Sequence, residues 1–254
     1  MMVLVIVCIF PMGLSPAYNG ENPGHRDQYI RMADSILEGR INIDRGVIDE
    51  KLLKMENPYN PSAREELQVD YEWDHAFYKG HYYMYFGIVP VFLLFIPYKV
   101  IFGEPLVTYH ATQFFVIFII VGFFMLFDSL ARRFFKKMPF GTYLVLSVAF
   151  SMMSVWYSIA APEMYCTAIT SGICFEIWSI FFFCEAIWGE KTEKKQLLFA
   201  CVGALFGALV FGCRPTIAIS NLLLIPWAVE FLRNKKITWK LIKKITCWCF
   251  INAI

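Results

Sequence analysis

The sequence predicts an all-α fold: a polytopic bundle of transmembrane helices with a large first extracytoplasmic loop that contains juxtamembrane helices. Three observations predict it. First, the 254 residues are 58% hydrophobic and 17% charged, with a mean hydropathy of +0.52, whereas soluble domains are nearer half apolar and a quarter charged. Second, the apolar residues come in runs near the roughly 20 residues that a helix needs to cross the hydrocarbon core. Third, the charges are segregated. Residues 18–83 hold thirteen Asp and Glu and eight Lys and Arg, out of 21 and 23 in the whole chain.

In chain order, residues 2–17 read as a first spanning helix. They lack the basic leader of a signal peptide, although Ser15-Pro16-Ala17 resembles a cleavage site. In the polar stretch, 26–38 reads as an amphipathic helix. Ile30, Ala33, Ile36 and Leu37 recur at helical spacing, and Asp27, Arg31, Asp34 and Glu38 take the other side. Gly39 supplies the stop. Such a helix suits the membrane interface, with its apolar face on lipid. Residues 40–68 carry turn chemistry at Asn57-Pro58 and Asn60-Pro61. Residues 74–85 alternate loosely around Lys79-Gly80, as a hairpin does. They are crowded with Phe77, Tyr78, Tyr82, Tyr83 and Tyr85, next to Trp73. Such rings serve as an interfacial belt or line a sugar cleft.

The apolar segment 84–102 carries Pro90, Pro97 and Lys99, and proline bends or breaks a helix interior. Clear spans follow at 106–130, 140–161, 166–188, 197–213 and 216–232. Residues 233–244 are basic, and 245–254 begin a further apolar run cut off by the chain end, as in the N-terminal portion of a longer protein. The domains expected are therefore a first helix at 1–17, an outer loop at 18–105, a bundle at 106–232 and a cytoplasmic tail at 233–254.

Charge chooses the orientation. The basic loops are Arg132-Arg133-Phe134-Phe135-Lys136-Lys137, 189–195 and 233–244. The positive-inside rule puts them in the cytoplasm. With the N-terminus inside, this holds only if 84–102 dips into the membrane without crossing. The polar loop, Glu163 and Arg214 then share the outer face. The inverted solution, with the loop in the cytoplasm, is not excluded by charge alone.

No basic stripe on a soluble domain points to nucleic acid. The eight cysteines avoid the polar loop and show no zinc spacing with histidine; they read as small apolar helix residues, and no structural disulfide is expected. His25, His75 and His81 share the loop with many carboxylates, which leaves a divalent metal open, but no standard ligand spacing is present. No metal ligand is assigned and the cofactor is unknown.

Four stretches together resemble the glycosyltransferase C superfamily of polytopic enzymes, which includes protein O-mannosyltransferases and bacterial aminoarabinose transferases. They are HRDQYIRMADSILEGR, YYMYFGIVPVFLLFIPYKVIFG, AAPEMY and GALFGALVFGCRPTIAI, in the family's order. The resemblance implies transfer of a sugar from a polyprenyl-phosphate donor to a lipid or cell-envelope glycan acceptor at the outer membrane face, with inversion. That chemistry needs a carboxylate to take the acceptor proton and cations to hold the departing phosphate. By motif position Asp27 matches the family's catalytic acid and Glu163 the acid of the second outer loop. Arg214 matches a basic residue at a helix end, with Lys79, His81 and Tyr82 as further substrate-binding candidates. The chain departs from the commoner pattern in having Gln28 after Asp27 and Glu, not Asp, at 163.

Plainer roles stand beside these. Asp27 is also placed to cap a helix, Asp34 and Glu38 to form a solvated face, and Glu163 and Arg214 to snorkel at helix ends. Glu176 and Glu185 lie in or near the end of an apolar segment, where acids are functional or paired; Glu176 has no evident role. The alternatives to an enzyme are a transporter or flippase of a lipid-linked saccharide and an inactive truncated copy.

Overall fold

The computed structural model describes residues 27–160, 162, 164–189 and 192–234. The first predicted helix, His25, Glu163 and the tail beyond residue 234 lie outside the described residues. What is described is an all-α helical bundle with one two-stranded hairpin.

The polar region comes first. Helix α1 (Gln28–Leu37) stops where Gly39, at φ 76°, takes the left-handed conformation that ends many helices. Two short helices follow, and each is started by its own cap. Asp49 accepts from the Lys51 N–H at 2.8 Å before α2 (Glu50–Lys54). Asn60 accepts from Ser62 and Ala63 before α3 (Pro61–Glu66), whose first residue is the proline favoured there. Strands β1 (Ala76–Tyr78) and β2 (His81–Tyr83) pair antiparallel, Phe77 opposite Tyr82, through the two-residue turn Lys79-Gly80. Both turn residues have positive φ, 49° and 80°, the pairing that matches strand twist in a tight hairpin.

The proline segment is short. A π-helical turn (Val91–Phe95) runs into α4 (Ile96–Phe102), which Gly103 closes at φ 78°. Twelve helical residues rise only about 18 Å, well below a bilayer core. The apolar side of α1 packs onto this segment: Tyr29, fully buried, stacks on Phe95 at 5.3 Å between ring centroids. The expectation of a lipid-facing stripe is corrected here. The buried side is Gln28, Tyr29, Met32, Ala33 and Ser35, while Leu37 is 47% exposed. Tyr29 finds aromatic partners on the proline segment, and Ile30, Ala33 and Ile36 pack on that same core, so the stripe faces protein and Leu37 is left outside it.

Four helices are long and apolar enough to cross a membrane: α5 (Thr108–Phe134), α6 (Phe140–Ala160), α7 (Met164–Trp188) and α8 (Glu193–Cys213). Helix α7 is central, with 72% of its apolar window buried. It packs closely on α8, where Gly203 and Gly207 let the backbones approach: Ser179 donates to the Gly203 carbonyl at 2.7 Å. Outward faces of α6 and α8, such as Val145, Met153, Trp156, Leu205 and Phe211, are apolar and exposed. Glu185 is paired: Arg133 and Ser129 of α5 each reach it at 2.6 Å.

The predicted span 216–232 takes another form. Ile217–Leu224 is a 3₁₀ helix, and α9 (Ile225–Asn234) carries Pro226 at its second position. Pro226 lacks the N–H that an uninterrupted α-helix would use, so the change of helix type falls at the proline.

The polar region is seated on the bundle. Its core, with Tyr29, Ile43, Leu52, Phe77, Tyr82, Phe86 and Phe95, continues into Leu106 and Ala111 of the α5 end and Met164 and Ala168 of α7. At the seam a Cβ on Gly87 would run into the Cys213 carbonyl, so Gly87 is where the two backbones touch.

Candidate functional site

Asp27 is the residue before α1, and its carbonyl accepts the first helical hydrogen bond, from the Arg31 N–H at 3.0 Å. Its side chain does not cap the helix. Oδ2 instead pairs with the Arg45 guanidinium, which a loop brings from 18 residues away. Oδ1 lies 3.8 Å from Arg31 and is shut from solvent with no hydrogen-bond partner among the described residues.

One turn along α1, Arg31 reaches across to the hairpin approach. Its guanidinium donates to both oxygens of Glu72, at 2.5 and 3.0 Å, the forked geometry suited to a carboxylate. Burial pushes the Glu72 carboxyl upward, but the Arg31 hydrogen bonds and charge outweigh it and hold the group below the usual carboxylate range. His75 completes the cluster. Its Nδ1 lies 2.7 Å from the Trp73 carbonyl, so Nδ1 carries the proton, and Nε2 accepts from Arg31 at 3.2 Å. Burial first, and the Arg31 charge after it, hold the imidazole below its ordinary value against the Trp73 carbonyl and the neighbouring Glu72, which favour the protonated form.

Gln28, fully buried, stands where a second acid is commoner in the resembling family. Its amide nitrogen donates to the Asp74 carbonyl at 2.9 Å and so ties α1 to the hairpin. Asp74 itself sits at φ 62°, unusual for a residue with a side chain. Its two oxygens accept from the hydroxyls of Tyr85 and of Tyr165, the latter on α7. Burial first, then this carboxylate, push the Tyr85 phenol well above its ordinary range. Arg214, at the end of α8, is close enough to Tyr29 and Tyr85 to oppose the rise in both. Arg214 therefore lies near the part of the polar region that holds Tyr29 and Tyr85.

The other predicted residues separate. Lys79 is exposed at the hairpin tip, its ammonium 5.3 Å from the Tyr78 ring centroid. His81 is exposed and contacts Asp44 at 2.7 Å and Asn42 at 3.0 Å. Tyr82 points the opposite way into the core, 4% exposed, and its hydroxyl accepts from the Glu72 N–H at 3.2 Å. Glu163 lies outside the described residues. Asp34 is not simply solvated but pairs with Lys99, and Glu38 with Arg40. Sequence reasoning missed Arg31, Arg45, Glu72, Asp74 and Tyr165 as members of the site. Arg31 sat on the wrong face of the expected helix, and the others come together only through contacts between residues far apart in the chain.

One concavity borders this arrangement and another lies in the bundle. A polar one of about 160 Å³ is lined by Arg45, Asp49, Asp70, Tyr71, Glu72 and Tyr82. An apolar cleft of about 410 Å³ opens among the helices, walled by Leu94, Phe115, Phe175, Trp178, Phe182 and Phe206. Among the described residues no three or more His, Cys, Asp or Glu side chains are grouped to hold a metal. Comparison with protein-family models, curated proteins and solved structures found no match to this chain.

Proposed function

We propose that this chain is a multi-pass membrane glycosyltransferase that moves a sugar from a polyprenyl-phosphate donor to a hydroxyl of a lipid or envelope-glycan acceptor, with inversion, and that residues 27–105 face the extracytoplasmic side. The observation that carries the reading is Asp27. One carboxylate oxygen is held by Arg45 while the other has no hydrogen-bond partner among the described residues and lies beside Arg31. In the proposed step the Asp27 carboxylate, whose side chain is 26% exposed, takes the acceptor's proton as the acceptor oxygen bonds to the anomeric carbon. The bond from that carbon to the phosphate oxygen breaks, and the electron pair leaves with the phosphate. Arg214 supplies a planar donor set for that phosphate, and Glu163, Lys79, His81 and Tyr82 remain candidates from the resemblance. The apolar cleft, which includes Phe206 two turns before Arg214 in α8, suits a prenyl chain.

Asp27→Asn in reconstituted membranes should lower sugar transfer by about 100-fold or more, the usual worth of a general base, with insertion unchanged; wild-type rates would overturn the assignment. Orientation is tested in the same membranes. Cysteine in place of the exposed Glu66 should react with an impermeant thiol reagent from outside intact cells, and labelling only after lysis would invert the topology.

A further inference from the structure

Glu176 takes no part in the site above. It lies in the middle of α7, 7% exposed, on the side that faces Ser220 of the 3₁₀ segment. Both of its carboxylate oxygens are shut from solvent, and neither has a hydrogen-bond partner among the described residues. The single hydroxyl beside it is shared: Ser220 Oγ also reaches the Ile217 carbonyl at 2.5 Å, and it has one proton to give. The neighbouring donors are committed. Ser179, one turn further along α7, donates to the Gly203 carbonyl at 2.7 Å. Asn221 donates to the Gly207 carbonyl at 2.9 Å, which leaves its buried Oδ1 without a partner. Gly207 keeps the space open, since a Cβ there would stand 3.1 Å from both Asn221 Oδ1 and Ser179 Oγ. Donors on this side of α7 are turned to helix carbonyls, and acceptors are what remain.

Among the described residues no charged side chain of the elements packed on α7 pairs with Glu176. The charges of α5 lie toward its far end, where Asp128 pairs with Arg132 and Arg133 with Glu185, and His110 lies at its start. Helix α8 has Glu193, Lys194 and Lys195 in its first turn and then only the thiols of Cys201 and Cys213. Arg214 follows; its Cβ is 3.7 Å from a Cβ placed on Gly172, a turn away from Glu176, but its charge bears on Tyr29 and Tyr85. The 3₁₀ segment has no titratable group, α9 has Glu230 and Arg233, and α6 has Tyr143 and Tyr157. On α7 itself the nearest are Cys174 and Cys184.

We propose that Glu176, with the Ser220 hydroxyl beside it, binds one small monovalent cation, a proton or a sodium ion, inside the helix bundle. An uncompensated carboxylate in an apolar interior is costly, and a surplus of oxygen acceptors is what such a cation satisfies. A proton would be shared between Glu176 and the lone pairs of the Ser220 hydroxyl; sodium would take the oxygens directly. The break from α to 3₁₀ geometry beside it is the kind of helix discontinuity at which membrane proteins bind coupling cations. The site is independent of sugar transfer and stands or falls separately from it.

The test uses the full chain purified in detergent, with Glu176→Gln as the neutral variant of the same shape. Stability is followed against pH, and against sodium chloride with choline chloride replacing it at constant ionic strength. Wild-type unfolding should shift about tenfold in its equilibrium constant per decade of the occupying cation, and Glu176→Gln should lose that dependence. Infrared spectra distinguish the occupants: a protonated-acid carbonyl band absent from Glu176→Gln identifies the proton, and a sodium-dependent carboxylate shift identifies sodium. Parallel wild-type and variant profiles in both series would overturn the proposal. Should the variant fail to fold, a wild-type spectrum with neither signature would do the same.

Discussion

The polar region and the bundle solve the same packing problem with different chemistry. In residues 27–105 distant parts of the chain are joined by ion pairs and stacked rings, as in Arg31 with Glu72 and Tyr29 with Phe95. In the bundle, apart from the Arg133–Glu185 pair near one end of α5, the polar joints are hydroxyls and the close approaches glycines: Thr112 with Thr167 at 2.7 Å, Ser158 with Thr170 at 2.6 Å, and Gly203 and Gly207 against α7. Water beside the polar region lowers the cost of a charge, whereas an apolar surround favours small groups that bond over short distances and let helices close up. The two chemistries meet where Tyr165 of α7 donates to Asp74 and where Gly87 lies on Cys213. The seam is where the comparison can be broken most sharply.

Gly87→Ala should have the largest effect, because the added methyl is driven into a backbone carbonyl that cannot swing aside. Overpacking of this kind costs about 3 kcal/mol, and the polar region should separate from α8. Gly141→Ala in α6 is the matched control. Nothing stands within 4 Å of its Cβ, so alanine should stabilise that helix by about 0.5 kcal/mol or more. Thermal unfolding of both variants, with proteolysis of the 27–105 region, checks the contrast. Equal effects would mean that the seam is not a close contact.

The spans were legible because apolar residues long enough to cross a membrane leave a signal that neighbours cannot disguise. Their ends were less so: α5 runs on through Arg132 and Arg133, whose long stems let the charge reach out while the backbone stays helical. Pro226 was visible in the sequence, yet 216–232 was read as one helix because composition outweighed the single breaker. In the polar region the start of α1, its glycine stop and the Lys79-Gly80 turn were readable from local chemistry. The buried face of α1 was not, since Tyr29 and Met32 are selected by partners on the proline segment. Asp27 was singled out by its place in the motif that resembles the family, while its place before a helix suggested only a cap. Arg45, Glu72 and His75 were not, because no periodicity announces a contact between residues 18 to 44 positions apart.

The second effect is smaller and confined to one region: acid should loosen the 27–105 region before it touches the bundle. His75 is held below its ordinary pKa, so its contribution is full above the unfolded value of about 6.5 and is lost as pH falls through the folded one. Glu72 is also held low, so its contribution is full above about 4.3 and is lost as pH falls toward the folded value. The two losses follow one another. Glu72→Gln should cost about 2 kcal/mol at neutral pH, the worth of a hydrogen bond to a charged group, and should flatten the lower step. Amide exchange at β1 and β2 against α7 reads this directly. If α7 opened together with the hairpin, the two regions would be one cooperative unit.

The smallest expected effect returns to a residue that the family resemblance favoured. Lys79 occupies the first turn position at φ 49°, where asparagine is more at ease than lysine. Lys79→Asn should therefore stabilise the hairpin by about 0.5 kcal/mol. Its ammonium is at the tip near the Tyr78 ring, and it makes none of the contacts that join Asp27, Arg31 and Glu72. If the lysine serves only the turn, sugar transfer by the variant should match wild type. A fall in transfer with the hairpin more stable would give Lys79 a role in substrate binding and extend the site from the inner network to the hairpin tip.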